Sequence, residues 1–166
     1  MKHLAPAATA FTALLLLLLP AALHAQPPRD FSGTWQMDPS RSQSAQQGEP
    51  FKMVTFVISQ SAGQVRIEAT RGSEQENVLY PLTKSRAAPT SEGRAQPEAY
   101  WEGDRLVTVT QRTVSGQTVT VKEAHRLGAS GADMMVETTV IVQHGYSMPG
   151  AKTYGTSEDV FIRVKP

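Results

Sequence analysis

The chain has 166 residues, with 16 Lys and Arg against 15 Asp and Glu, and it contains no cysteine. Balanced charge without a basic stripe argues against a nucleic-acid groove or an anionic-membrane patch. The missing thiols exclude disulfides, thiolate metal sites and a cysteine nucleophile.

Residues 1–25 read as an export signal: Lys2, an apolar stretch densest from Phe11 to Leu19, the breaker Pro20, and a small residue, Ala25, before the expected cut. The stretch is just long enough to cross a bilayer of roughly 20 residues, but Pro6, Pro20 and the alanine-rich exit favour cleavage. No cysteine follows the apolar run, which excludes a lipid anchor. The expectation is a periplasmic or secreted protein, with residues 26–31 as a linker and 32–166 as one domain of ordinary size.

After the linker, Val, Thr, Ile, Phe and Tyr alternate with polar residues at period two. Strands are predicted at 32–38, 51–60, 64–70, 76–83, 98–102, 105–113, 117–127, 133–144 and 158–165. Polar or glycine- and proline-rich loops are predicted at 39–50, 86–97 and 144–155. No segment of helical period stands out, so the chain reads as all-β, a barrel or a sandwich.

Register can be argued in the second half. A two-residue Ser115-Gly116 turn would pair Val109 with Lys122 and split the apolar faces. A three-residue Val114-Ser115-Gly116 loop pairs Val109 with Val121 and is the expected arrangement. The next hairpin, turning through 128–133, pairs Leu127 with Met134, Val136 with His125, Thr138 with Glu123, Val140 with Val121 and Val142 with Val119. The predicted inner face holds Val107, Val109, Val119, Val121, Leu127, Met134, Val136, Val140 and Val142, with Gln111, Glu123, His125, Thr138 and His144 as its polar members.

Glu123 and His125 stand two apart on one strand face, roughly 7 Å apart at Cα. A carboxylate beside an imidazole is a general-base arrangement; the plainer reading is a solvated pair near an open barrel mouth. His125 and His144 are expected far apart, with His144 opposite Gln117, so no two-histidine metal site is expected. Tyr80, Tyr100, Tyr146 and Tyr154 are candidate pocket hydroxyls. A Gly103-Asp104 turn puts Tyr100 on the face of Val107, so Tyr100 is assigned inward. No nucleophile elbow, phosphate loop, HExxH or calcium loop is present.

The opening FSGTWQMD (31–38) and the closing EDVFIRVKP (158–166) resemble the first and last strands of the calycin superfamily, which holds lipocalins, fatty-acid-binding proteins and avidins. The resemblance implies a single closed or nearly closed antiparallel up-and-down β-barrel of about 8–10 strands. It also implies that Gly33, Trp35 and Arg163 close the barrel end, with the guanidinium over the indole. Tyr100 to Leu106 (YWEGDRL) resembles a W-x-G-D-x-L hairpin of exported bacterial proteins that open with FSGTW. The chain departs from fatty-acid-binding proteins in two respects. Residues 39–50 are too short for their portal helices, and Asp159-Val160-Phe161 replaces their carboxylate-holding Arg-x-Tyr. The lipocalin carboxy-terminal helix and disulfide are missing too.

These readings lead to a lipocalin-like barrel that binds a small apolar or amphipathic molecule, with Tyr100, Gln111, Glu123, His125 and Thr138 as candidate ligand-binding residues. No metal, cofactor or catalytic residue is expected. Two other classes stay open: a filled barrel that acts through its loops on an envelope partner, and a cofactor-free isomerase or cyclase using Glu123 and His125.

Overall fold

In a computed structural model, residues 29–46, 52–83, 96–145 and 150–165 are described. The expected export signal, residues 47–50 of the first loop and the greater part of the second fall outside them, as does Tyr146. Period-two alternation resolves into nine strands: β1 (Gly33–Met37), β2 (Val54–Gln60), β3 (Gln64–Arg71), β4 (Glu74–Thr83), β5 (Glu98–Glu102), β6 (Arg105–Val114), β7 (Gln117–Leu127), β8 (Asp133–Gln143) and β9 (Lys152–Val164). Each strand pairs with the next, and β9 returns to β1, so the barrel is closed. Closure joins the first strand to the last, but β5 is short: it pairs β4 only at Leu82 and Thr83 and β6 only from Arg105 to Val109, so the rest of β4 and of β6 has no ladder partner on that side among the described residues.

Two expectations are corrected. The β4–β5 pairing is parallel, through Leu82↔Ala99 and Thr83↔Tyr100, so the barrel is not wholly up-and-down. And β9 begins at Lys152, inside the loop expected at 144–155. There Thr153 and Tyr154 pair with Val142 and Ile141 of the long β8, while Gly155 sits opposite Val140. An extended partner carries a glycine that the sequence pattern reads as a turn.

One end of the barrel is solid. Trp35 is fully buried and its Nε1 donates to the Phe31 carbonyl at 2.9 Å. The Arg163 guanidinium lies 4.2 Å from the centroid of the Trp35 ring. It also donates from Nη1 to the Ser32 carbonyl, and from Nε to that of Gly131 at 3.1 Å. Gly33 has φ +135°, and a Cβ there would lie 2.7 Å from Arg163 Nη1, so only glycine admits the guanidinium. The expected closure by Gly33, Trp35 and Arg163 is therefore present. Phe31, assigned to the linker, is itself buried in this core with Ile58, Val65, Leu106 and Met134.

The β7–β8 register is the expected one, from Leu127↔Met134 to Val119↔Val142. The β6–β7 register is not. The turn has two residues, Ser115 (φ +48°) and Gly116 (φ +76°), and it pairs Val109 with Lys122 and Thr108 with Glu123. Both turn residues in the left-handed region match the twist of a tight hairpin. A longer loop would keep the valines on one face on the premise that only that face is buried. That premise fails because β5–β7 are buried on both sides. Leu106 joins the main core, while Val107, with Tyr100, Ala124 and Val109, forms a second cluster on the opposite face. Val107 and Val109 therefore leave the predicted inner face.

Candidate functional site

Away from the Trp35 end the interior opens into a cavity of about 500 Å³. Its apolar wall is Phe56, Ile67, Ala69, Val78, Val121 and Val140, carried on β2, β3, β4, β7 and β8. Tyr80, Thr108, Glu123 and Thr138 bring polar atoms into the same space, and Arg71, Glu76 and Arg112 line its exposed side. Inward positions along β6 grade from Leu106 and Thr108, both buried, through the half-buried Thr110 to the exposed Arg112. That gradient fixes the direction of the mouth.

Glu123 stands at the centre of the polar group. His125 Nε2 lies 3.6 Å from Glu123 Oε2 and 3.5 Å from Thr108 Oγ1. Arg71 Nη2 reaches to 4.0 Å of Glu123 Oε1 from the mouth side. Burial pushes the Glu123 carboxyl towards its neutral form. His125 close by, helped by Arg71 and Thr108, outweighs that push and holds it below the usual carboxylate range. Tyr80 is driven the other way: burial first, then the charges of Glu123 and Glu76, raise its pKa, so it stays a neutral hydroxyl.

His125 has no exposed surface and is not part of the cavity lining. The rings of Phe31 and Phe56 stand edge-on to it, with centroids 6.4 and 6.3 Å away. Its Nδ1 is buried without a hydrogen-bond partner among the described residues. A proton on Nε2 is what serves the two oxygens opposite. The imidazole thus supports Glu123 from beneath the cavity floor. The solvated pair at a barrel mouth is corrected to a buried one, because His125 lies opposite Val136, a level that Phe31 and Phe56 seal.

The structure brings Glu123, His125 and Thr138 together, as the sequence predicts. Tyr100 is corrected: it pairs with Val107 through the expected Gly103-Asp104 turn, but that face is turned away from the cavity. Trp101 is the inward member, with its ring 6.0 Å from that of Phe31. Gln111 touches the cavity, yet it alternates with Thr110 and Arg112, and its amide donates to Thr120 Oγ1 at 3.4 Å. Among the tyrosines, Tyr80 is the cavity hydroxyl, and Tyr154 is exposed. His144 meets Gln117 at 3.2 Å, far from His125, as expected.

The sequence reading missed Thr108 and Arg71. Arg71 was visible in principle, since it continues the alternation Val65, Ile67, Ala69. Thr108 was hidden by the one-residue register error, which exchanges every residue of β6 between faces.

No protein-family model matches the chain, and no curated protein matches it. Among solved structures, the chain is similar to the crystal structure of the wild-type fluorescent protein UnaG, at 16% identity and a TM-score of 0.47, covering 81% of this chain and 97% of that one.

Proposed function

We propose that the protein binds a small amphipathic molecule inside the hollow half of its barrel. The observation that carries this reading is the change along the interior from close packing at the Trp35 end to an open volume of about 500 Å³ beyond Phe56. Ligand sites fall in the range of roughly 300–1,000 Å³ and combine apolar walls with a few convergent polar groups. Phe56, Ile67, Val121 and Val140 are such walls, and Tyr80, Thr108, Glu123 and Thr138 are such groups. A barrel of this size holds either side chains or one small guest, and here the side chains stop short. The same reading puts the protein in the periplasm or outside the cell, a placement supported by the signal-like composition of residues 1–25.

The test is equilibrium binding of Nile red, a neutral solvatochromic dye, to the full chain and to Val121→Trp, which fills the cavity from its wall. Wild type is expected to bind the dye with a blue-shifted emission. The variant is expected to lose at least about 1.4 kcal/mol of binding, a tenfold weakening, with its thermal midpoint kept. Equal dye binding by both proteins, or none by wild type, would overturn the reading.

A further inference from the structure

The chemistry of the floor separates the molecules that fit this cavity from those that do not. Glu123 is 14% exposed, and its ionic contacts are loose: 3.6 Å to His125 and 4.0 Å to Arg71, both beyond an ordinary hydrogen bond. A carboxylate has about four acceptor positions, so with Thr108 beside it Glu123 still has capacity facing the cavity. Of the cations around the cavity, Arg112 stands at the exposed mouth, away from the floor. His125 is sealed behind the floor, and Arg71, with 47% of its side chain exposed, already turns towards Glu123. Tyr80 and Thr138 supply hydroxyls, and Glu76 adds a second carboxylate higher in the wall. At this depth a carboxylate-headed guest meets a like charge with little water between them. A guest that leads with N–H or O–H groups instead makes a charge-assisted hydrogen bond.

We propose, on the reading of the cavity as a ligand site, that the guest seats its polar end on Glu123, and that the barrel selects neutral or cationic molecules whose leading end carries N–H or O–H donors over carboxylate-headed ones. The experiment is displacement of Nile red from the full chain at neutral pH by three probes of equal chain length: decylamine, decanol and decanoate. Decylamine and decanol are expected to displace the dye at concentrations about tenfold or more below that of decanoate. In Glu123→Gln, which keeps size and loses charge, the advantage of decylamine over decanoate is expected to shrink below about threefold.

Decanoate displacing the dye as well as decylamine from wild type would overturn this proposal and leave the ligand site standing. So would an unchanged ratio in a folded Glu123→Gln. If that variant does not fold, the wild-type ratio decides alone. Failure of wild type to bind the dye or any of the three probes would remove both readings.

Discussion

Towards the closed end, the inward residues are Trp35, Ile58, Val65, Leu106 and Met134, none with more than 2% of its surface exposed. Towards the mouth β3, β6, β7 and β8 point Ala69, Thr110, Val121, Thr138 and Val140 inward, and all five are partly exposed around open volume. The mouth half lacks β5, which pairs β6 only from Arg105 to Val109 and β4 only at Leu82 and Thr83. Side-chain size changes as well, with large rings and long aliphatic chains at one end and alanine, threonine and valine at the other. The boundary is built from Phe56, stacked on Phe161 at 4.6 Å, and from His125 edge-on to Phe56. A cavity here is a matter of where large residues stop, and close packing and open volume fall at different ends of one fold.

The largest test of that division is a pair of truncations followed by urea unfolding. Trp35→Ala removes a fully buried indole and the surface on which Arg163 rests, and is expected to cost about 3–5 kcal/mol. Val140→Ala, on the cavity wall, is expected to cost about 1 kcal/mol, because its side chain already borders open space. Equal losses would erase the distinction between the halves.

A smaller effect should appear on acidification. The folded state holds the Glu123 carboxyl below its ordinary pKa. The stability this contributes is fully present above the unfolded value, about pH 4.3, and is lost as pH falls through the folded one. Unfolding free energies of wild type and Glu123→Gln, measured from neutral pH downwards, are therefore expected to converge in acid. A constant gap between the two curves would mean that Glu123 is not held ionised by its surroundings.

The smallest effect belongs to the β6–β7 turn. Ser115 is the one described non-glycine residue with positive φ, and asparagine adopts that conformation more readily. Ser115→Asn is expected to gain about 0.5 kcal/mol. A loss would argue for the longer loop that the sequence favoured.

That loop shows where the sequence was legible and where it was not. The β7–β8 register could be read because one face of each strand carries most of the apolar residues, so one pairing unites them best. The β6 register could not, because Leu106, Val107 and Thr108 are buried in succession, facing the core and the second cluster by turns. Alternation carries no information where both sides of a sheet are dry. The same ambiguity put Tyr100 on the inward face in place of Trp101. Glu123 and Thr138 were legible through β7–β8 alone. Thr108 needed β6, and the depth at which His125 is sealed needed Phe31, a residue that no strand pattern marks. The closure by Gly33, Trp35 and Arg163 came from resemblance, and its geometry explains why those residue types are required.

The Arg163–Ser32 hydrogen bond spans 131 residues of sequence, and the β1–β9 seam beside it joins the first strand to the last. Until the final strand exists, this ring is a curled sheet with two raw margins, and no earlier step of assembly can seal it. Pairing across such a sequence separation carries a large loop-closure cost and slows folding for chains of this topology. A molecule shortened by its last dozen residues would lose far more than their own contacts: it would forfeit the lock on Trp35, the seal of the base, and the only partner that β1 has on that side.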